Sequence, residues 1–429
     1  MSSSAHSSAP ASSDKPARAP MQSVSQALDT LLTAAVPIQE SETVDTLDAC
    51  GRVLAEPVTA TINVPGMDNS QMDGYAVRAA DCASGEVRLR VSQRIPAGQV
   101  GQPLEPGTAA RIFTGAMMPE GADAVVMQEA CEADGEHVVI RHAPKAGEWV
   151  RTIGEDIRQG STILAAGTRL RAQDLGLAAS IGQARLQVVR PVRVAVFFTG
   201  DELTMPGQPL KPGGIYNSNR FLLRGLLQKL GCHVSDFGIV PDSLDATRQT
   251  LRQAAREHDL IITSGGVSVG EEDHVKPAVE AEGRLNMWQI AMKPGKPLAF
   301  GQVRRGQGAG EQGSEAFFLG LPGNPVSSFV TFLLFVRPFI LRLQGLPREA
   351  VLPQPVAMRA DFDWPRADRR QEFLRVRRNA RGGLDLFPSQ GSAVLTSTVW
   401  ADGLIDNPPG QTIAAGDTVQ FLAFDHLLN

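Results

Sequence analysis

The spacing of apolar residues divides the chain into segments with different periods. Apolar positions in VSQALDTLL (residues 24–32) recur as on a helix, and the pattern predicts a helix capped by Ser25. Residues 59–156 contain short alternating stretches between PAG, EPG and PEG turns, which is typical of a small all-β domain. The helical run AQDLGLAASIG follows. We therefore predict that the chain leaves this β domain and returns to the region in which it began.

From Arg193 onward, near-continuous apolar strands alternate with amphipathic helices. Strand VRVAVFF precedes helix NSNRFLLRGLLQKL, strand HVSDFGIV, helix DSLDATRQTLRQAAREH and strand DLIITSGG. This alternation predicts a doubly wound parallel sheet. The stretches WQIAMKPGKPLAFGQV and EAFFLGLPGNP extend the sheet, with GQGAGEQGS as a flexible hairpin between them. The proline-rich, strand-like remainder predicts a small C-terminal β-barrel.

These patterns together predict a multidomain α/β chain. The predicted parts are a disordered tail (1–20), a discontinuous mixed N-terminal domain (21–58 and 157–190), an inserted β domain (59–156), a central α/β domain (191–345) and a C-terminal β-barrel (346–429). The tail lacks the apolar segment of a secretory signal or an anchor. The apolar run SSFVTFLLFVRPFILRL is broken by Arg337 and Pro338, so it predicts a buried helix and no membrane span.

Composition and charge exclude several classes of function. The 429 residues carry a formal net charge of -5, with a pI of about 5.9, which argues against a protein that coats nucleic acid. Four widely spaced cysteines without a CxxC pair predict neither a disulfide framework nor a zinc cluster, and a reducing cytoplasm fits them best. The scattered histidines support neither a metal–histidine site nor a Ser-His-Asp triad.

Unusual loops follow three strands of the predicted central sheet, namely TGDEL, TSGGVSVGEEDH and GLPGNPVSS. Ligands of open α/β sheets bind beyond the carboxyl ends of the strands. Between Thr263 and Gly270 the second loop has three glycines and three hydroxyls, so its backbone N–H groups can surround an anion such as a phosphate. The loop matches neither a Walker loop nor GxGxxG, and a purely structural turn is the alternative.

Acidic and basic side chains accompany these loops. Carboxylates such as Glu202, Asp242 and Asp273 would repel a phosphate unless a hard cation lies between them, so the pattern predicts Mg²⁺. Capping of a helix is the alternative role for Asp242. Lys293 and Lys296 of KPGKP can bind an oxyanion or a phosphate, and solvated turn lysines are the alternative.

Eight motifs, in family order from residue 21 to the C-terminus, resemble the MoeA family of molybdopterin molybdenumtransferases. They are DNSQMDGYAV, RIFTGAMMPEGADAVVMQE, GEDI, TGDEL, TSGGVSVGEEDH, AMKPGKPLAFG, GLPGNPVS and ADGLI. The chain is also similar to the corresponding domain of gephyrin and of its plant counterpart. The resemblance implies a four-domain homodimer whose central domain is shared with molybdopterin adenylyltransferases. It also implies a reaction in which adenylylated molybdopterin and molybdate give molybdenum cofactor and AMP, aided by Mg²⁺.

The resemblance also implies roles for individual residues. Residues of the β domain that reach the active cleft of the other subunit are Asp68 and Thr114. Acidic positions that handle ligand and metal are Asp156, Glu202, Asp242 and Asp273, the last three as Mg²⁺ ligands. The phosphates are held by Ser264, Gly265, Gly266 and Ser268. Residues on the molybdate side are Lys293, Lys296, Ser327, Arg370 and Ser392, with Arg375 and Ser397 as alternatives because GSAVLTSTV departs from the family pattern.

Two other functions stay open on the sequence alone. The nearest is the adenylyltransferase of the preceding step, because the central domain is of that type. The other is a non-catalytic scaffold, as in gephyrin, although the chain lacks long linkers of the kind that bind receptors. Expected partners are a second copy of the chain, the molybdopterin adenylyltransferase and other proteins of molybdenum cofactor synthesis, with neither nucleic acid nor a membrane among them.

Overall fold

The computed structural model describes residues 21–267, 274–306 and 315–428. The predicted N-terminal tail, Ser268, Asp273 and nearly all of the predicted GQGAGEQGS hairpin lie outside these residues. The chain divides into two compact units. Residues 39–190 form one unit, and the remainder of the chain forms the other.

Helix α1 (Val24–Ala34) opens the described chain. Ser23 caps this helix, two residues before the Ser25 expected from the sequence: its hydroxyl accepts from the Gln26 N–H at 3.2 Å, and the Gln26 side chain accepts from the Ser23 N–H at 2.9 Å. This capping box satisfies two backbone donors at once, which explains where the helix begins. Helix α1 packs against the apolar helical stretch 325–343, and therefore belongs to the unit that contains the central domain.

The unit of residues 39–190 consists mostly of short strands. They are β1 (Ser41–Asp45), β2 (Val58–Thr59), β3 (Asn69–Ser70), β4 (Gly74–Val77), β5 (Val87–Ile95), β6 (Thr108–Ile112), β7 (Ala124–Met127), β8 (Cys131–Asp134), β9 (His137–Ile140), β10 (Val150–Arg151), β11 (Thr162–Leu164) and β12 (Arg185–Val189), with helix α2 (Ala172–Ser180) before β12. Six strands form one sheet in the order β7-β4-β6-β5-β9-β8. The alternating sequence of β9 buries Val138 and Ile140, as its period of two requires.

The central domain alternates strands and helices. Its strands are β13 (Arg193–Thr199), β14 (Leu203–Thr204), β15 (Ile215–Tyr216), β16 (His233–Val240), β17 (Leu260–Ser264), β18 (Gly283–Gln289), β19 (Met292–Lys293), β20 (Pro297–Arg304) and β21 (Glu315–Leu321). Its helices are α3 (Ser218–Lys229), α4 (Leu244–Glu257), α5 (Val275–Glu282), α6 (Pro325–Thr331), a π-helical segment (Phe332–Val336), α7 (Arg337–Leu343) and α8 (Arg348–Val351).

The main sheet of this domain has the order β16-β13-β17-β21-β20-β18. Strands β16, β13, β17 and β21 are parallel, which confirms the predicted doubly wound fold, whereas β20 and β18 form an antiparallel edge. No crossover helix separates β18 from β20, and a parallel connection needs such a crossover, so these strands run antiparallel. Helices α4 and α5 cover one face and contribute Leu251, Ala255 and Val279 to the core.

The helical stretch Pro325–Leu343 spans 19 residues with a mean hydropathy of 1.7, long and apolar enough to cross a bilayer. Within the fold, however, 94% of its most apolar part is buried. Its Arg337, only 7% exposed, donates to the carbonyl oxygens of Val351 and His426 at 3.2 Å each. The predicted buried core helix is therefore present at this position.

The C-terminal part is β-rich, as predicted. Its elements are β22 (Val356–Arg359), β23 (Gln371–Arg378), β24 (Leu384–Leu386), α9 (Thr396–Trp400), β25 (Gly403–Asn407), β26 (Thr418–Ala423) and α10 (Phe424–Leu428). The sheet has the order β19-β23-β25-β26-β22, and β24 also pairs with β23. Its first strand, β19, comes from the central domain: Met292 pairs with Gln371 and Lys293 with Glu372. The predicted KPGKP turn is thus joined directly to the last domain.

A buried acidic residue links two helices of the central domain. Glu282, 9% exposed, accepts from Arg248 at 2.7 Å and from Arg252 at 2.8 Å, and these hydrogen bonds lower the pKa of Glu282 below its ordinary value of 4.5. A lowered folded-state pKa contributes stability that is fully present above pH 4.5 and is lost as the pH falls through the folded-state value.

We therefore expect Glu282→Gln to reduce the free energy of unfolding by about 2 kcal/mol at pH 7, since three charged hydrogen bonds from two arginines lose their anion. The difference from the unsubstituted chain should narrow as the pH falls below about 4. Urea unfolding at pH 7, 5 and 3 measures it. Glu280→Gln, at an exposed position of the same helix, is the control. An equal effect of both changes, or a difference independent of pH, would contradict the assignment.

Candidate functional site

A cleft of about 980 Å³ lies at the carboxyl edge of the parallel strands in the central domain. The loops after β13, β17 and β21 line it, together with the start of α3, the turn after β19 and residues 390–393 of the last domain. The carboxyl ends of neighbouring parallel strands meet at one edge of a sheet, so residues far apart in the sequence come together there.

Most of the sequence-predicted site residues line this one cleft. They are Glu202, Asp242, Ser264, Gly265, Gly266, Lys293, Lys296, Ser327, Arg370 and Ser392. The cleft thus brings together a glycine-rich loop, two carboxylates and three cations. Ser268 and Asp273, from the distal part of the glycine-rich loop, lie outside the described residues.

The glycine-rich loop turns sharply after β17. Gly265 has φ +98°, and a Cβ on it would lie 2.9 Å from the carbonyl oxygen of Thr199, so no other residue fits there without strain. Its N–H is donated to the Leu321 carbonyl at 3.1 Å. In the described part of the chain, the N–H groups of Gly266 and Val267 meet no acceptor, and they line the cleft, where an anion can accept from them.

Asn219, which the sequence reasoning missed, joins two of the cleft loops. Its Nδ2 donates to Ser264 Oγ at 2.8 Å and to the Gly323 carbonyl at 2.7 Å. The Ser264 hydroxyl, in a residue that is 3% exposed, in turn donates to the Pro322 carbonyl at 3.0 Å. The Ser264 side chain therefore holds the loops together, and the phosphate contact expected for it stays a prediction. The available signal was NSN at the start of α3, but asparagine at a helix start is ordinarily read as a cap.

Of the three predicted metal ligands, Glu202 and Asp242 lie in the described part of the chain, and they belong to different loops of the cleft. Gly200, with φ +138°, leaves room for Glu202: a Cβ on this glycine would lie 2.6 Å from Glu202 Oε2. Asp242 precedes the N-cap of α4, which is Ser243, whose hydroxyl accepts from the Ala246 N–H at 3.3 Å. Ser243 thus caps this helix, and Asp242 lines the cleft.

The cationic end of the cleft contains three positively charged residues in different environments. Lys293 Nζ lies 3.0 Å from Glu372 Oε1 and 3.6 Å from Asp368 Oδ2. Arg370 forms a bidentate pair with Asp368, at 2.8 and 3.1 Å, which lowers the pKa of Asp368 well below its usual range. Lys296 has no carboxylate within 4 Å among residues 21–267, 274–306 and 315–428. Its charge is therefore the least compensated of the three.

The alternatives Arg375 and Ser397 lie in the core of the last domain. Arg375, 1% exposed, donates to Ser397 Oγ at 3.2 Å and to the Gly391 carbonyl at 3.1 Å, and burial lowers its pKa to about 10. Its backbone N–H and carbonyl bond the side chain of Gln390. Neither Arg375 nor Ser397 lines the cleft. Their bonds instead support the loop that carries Ser392, which does line it.

Three predicted site residues belong to the unit of residues 39–190 and are exposed there: Asp68, Thr114 and Asp156. Asp68 Oδ1 accepts from the Ile153 N–H at 2.7 Å. Thr114 donates its N–H and its hydroxyl to Asp73 Oδ1, both at 2.8 Å, and these bonds lower the pKa of Asp73. Asp73 was not assigned a role from sequence, although it lies in the same DNSQMDGYAV stretch. It fixes the Thr114 loop.

Known proteins resemble the chain over nearly its whole length. Three family models match it: the MoeA N-terminal region, domains I and II (residues 22–182), a probable molybdopterin binding domain (195–342) and the MoeA C-terminal region, domain IV (357–424). The crystal structure of the molybdopterin biosynthesis moeA protein from Pyrococcus horikoshii OT3 shares 27% identity with a TM-score of 0.79, covering 94% of this chain and 100% of that chain.

Two curated relatives share the name molybdopterin molybdenumtransferase. The protein from Haemophilus influenzae is 40% identical over 398 residues, which are 91% of this chain and 95% of that protein. The protein from Nostoc sp. is 42% identical over 318 residues, 72% of this chain and 71% of that protein. Such identity over such a length shows common descent of the whole chain, and the chain therefore belongs to the MoeA family of molybdopterin molybdenumtransferases.

Proposed function

We propose that this chain inserts molybdenum from molybdate into adenylylated molybdopterin, with release of AMP. One observation carries this proposal: a single cleft combines a separate cationic end with backbone N–H groups of a glycine-rich loop that meet no acceptor among the residues the structure describes. A substrate with a phosphoanhydride suits the first part, and a tetrahedral oxyanion suits the second. Hydrolysis of the anhydride gives AMP and leaves the pterin dithiolene to bind the metal.

The glycine-rich end is suited to the phosphates of the nucleotide. Gly266 and Val267 offer N–H groups there, and Asn219 keeps the Ser264 loop against the Gly323 loop. A preformed set of backbone donors stabilises the charge that develops as the anhydride breaks, without reorganisation of water. The proposed role of Gly265 is to allow the turn, and that of Ser264 is to hold it.

Two carboxylates in the cleft fit a magnesium ion bound together with the substrate. Among the described residues, no group of three or more His, Cys, Asp or Glu side chains is placed to hold a metal alone. Mg²⁺ ordinarily takes one or two carboxylates and completes its shell with water and substrate phosphate. Glu202 and Asp242 would supply these ligands, with Asp273 of the same loop system as a further candidate. The ion would neutralise the phosphate charge.

The cationic end is the proposed binding site of molybdate. Lys293, Lys296 and Arg370 supply charge and N–H donors, and the hydroxyls of Ser327 and Ser392 can bond the remaining oxygens. Holding the oxyanion beside the pterin converts a reaction between two solutes into one between fixed neighbours. The five residues come from two domains that share the β19–β23 pairing.

The proposal extends to assembly and surroundings. Asp68, Thr114 and Asp156 are exposed carboxylate and hydroxyl groups on the unit of residues 39–190, and we assign them to the cleft of a second subunit in a homodimer. The enzyme would act in the cytoplasm, where the adenylyltransferase of the preceding step would supply its substrate. In gel filtration, Asp68→Asn should elute at the same volume as the unsubstituted dimer. Loss of activity in a variant that still forms the dimer would support this assignment.

Release of AMP tests the proposed reaction. The purified chain is incubated with adenylylated molybdopterin and Mg²⁺, with and without molybdate, beside Asp242→Asn and the control Asp245→Asn, an exposed carboxylate on α4 outside the cleft. We expect molybdate-dependent AMP release that falls about 100-fold in Asp242→Asn, because a lost metal ligand removes a major charge stabilisation, and stays unchanged in the control. Adenylylation of molybdopterin from ATP, without molybdate-dependent release, would move the chain to the preceding step.

A further inference from the structure

A carboxylate lies beside the cationic end of the cleft, in contact with two of its cations but outside the cleft lining. Asp368 accepts from Nε, Nη2 and the backbone N–H of Arg370 at 3.1, 2.8 and 3.0 Å, and it lies 3.6 Å from Lys293 Nζ. A bidentate contact of this kind is what a guanidinium offers to an oxyanion. Asp368 therefore already occupies donors that an oxyanion would use.

The charges around this end nearly cancel. Lys293, Lys296 and Arg370 are positive, Asp368 and Glu372 are negative, and the five together carry one net positive charge. Glu372, which is 1% exposed, lies behind Lys293 at 3.0 Å. A dianion entering the cleft meets a much weaker attraction than three lysine or arginine side chains would exert.

We propose that Asp368 is an internal counter-anion that sets the affinity of the cleft for inorganic oxyanions. This inference rests on the proposed binding of molybdate at the cationic end. Sulfate and phosphate are tetrahedral oxyanions like molybdate, so a site with only cations would bind all of them. Asp368 weakens the binding of all three anions. Molybdate is then distinguished from sulfate and phosphate at the next step, because only its metal can bond to the pterin sulfurs.

The direction of the effect follows from how Asp368 is held. Arg370 keeps the pKa of Asp368 well below its usual range, so the carboxylate is charged throughout the neutral range and repels an oxyanion there. Replacement by asparagine keeps the volume and one acceptor for Arg370 but removes the charge. Arg370 also retains Nη1, which Asp368 does not bond, for an incoming oxyanion.

A matched pair exists elsewhere in the same domain. Asp361 accepts from Nε and Nη2 of Arg359 at 2.7 and 3.1 Å, again two residues apart in the sequence, and neither residue lines the cleft. Asp361→Asn therefore makes the same chemical change in the same kind of ion pair. Any effect that comes only from loosening an arginine in this domain will appear in both variants.

Titration calorimetry of the full-length chain with sodium sulfate, and separately with sodium molybdate, tests the inference. We expect Asp368→Asn to bind sulfate about tenfold more tightly than the unsubstituted chain, since one repulsive charge is removed from a partly exposed site. Asp361→Asn should bind as the unsubstituted chain does. Arg370→Met in the Asp368→Asn background should lose the gain.

Sulfate binding by Asp368→Asn that is equal to or weaker than that of the unsubstituted chain would overturn the inference, and so would an equal gain in Asp361→Asn. If sulfate is undetectable with the unsubstituted chain, binding by Asp368→Asn alone supports the inference and absence in both overturns it. The proposed reaction is judged separately, by molybdate-dependent AMP release of the unsubstituted chain. The calorimetric result can therefore support the role of Asp368 even if AMP release contradicts the proposed reaction. AMP release can equally support the reaction if calorimetry contradicts the role of Asp368.

Discussion

Replacing Lys296 by methionine should raise the molybdate concentration for half-maximal AMP release about 100-fold. Lys296 is the cleft cation without a carboxylate partner in the described part of the chain, so its full charge is available to the oxyanion. One charged hydrogen bond to a bound anion contributes about 3 kcal/mol, which corresponds to roughly two orders of magnitude in affinity. The half-saturating concentration of adenylylated molybdopterin should stay constant.

Two comparisons decide whether the loss of molybdate affinity in Lys296→Met comes from the missing charge. Lys293→Met should raise the molybdate concentration for half-maximal AMP release only about tenfold, because Glu372 and Asp368 already compensate the charge of that lysine. Lys229→Met, at the exposed far end of α3, should have no effect. A Lys293→Met variant that is impaired more than Lys296→Met would mean that the partnered lysine supplies the binding charge, and the assignment would be reversed.

Replacing Asn219 by alanine should weaken the binding of adenylylated molybdopterin about 30-fold while leaving the half-saturating molybdate concentration unchanged. The amide holds the glycine-rich loop to the Gly323 loop through two hydrogen bonds. Each contributes about 1 kcal/mol, and the loops lose their fixed spacing when both are absent. Measured half-saturation values for each substrate, together with the thermal midpoint, separate loop positioning from loss of folding.

The aspartate variant sharpens this test. Asn219→Asp keeps the shape but replaces the amide donors by a carboxylate that faces the Gly323 carbonyl, so it should be impaired at least as strongly as alanine. Asn286→Ala, on the exposed face of edge strand β18, should behave as the unsubstituted chain. Equal loss of affinity for both substrates in Asn219→Ala would indicate a general collapse of the cleft and contradict a local role.

The sequence predicted most of the cleft because its chemistry lies in loops after apolar strands. The strand DLIITSGG and its neighbours had the period of a parallel sheet, and that topology alone brings Glu202, Asp242 and Gly265 to one edge. The family resemblance then selected Arg370 over Arg375. In the structure Arg370 lines the cleft, whereas Arg375 donates to carbonyl groups inside the last domain.

The features that sequence did not predict depend on partners distant along the chain. Asn219 was an ordinary helix-start asparagine until Ser264 and Gly323 were placed beside it. Asp368 is an acidic residue in a basic segment, and the sequence did not indicate its contacts with Arg370 and Lys293. The antiparallel pairing of β20 with β21 agrees with the hairpin predicted between them, whereas the antiparallel pairing of β18 with β20 was not predicted, because the apolar pattern of a buried strand is the same in either direction.

The pairing of β19 with β23 has a mechanical consequence. Backbone hydrogen bonds connect the turn that carries Lys293 to the strand that follows Arg370, so the two domains meet through a shared ladder at the cationic end. A hinge at this boundary would have to break that ladder, and a hinge works only where few backbone bonds cross it. The oxyanion end of the cleft is therefore held rigid by these backbone hydrogen bonds.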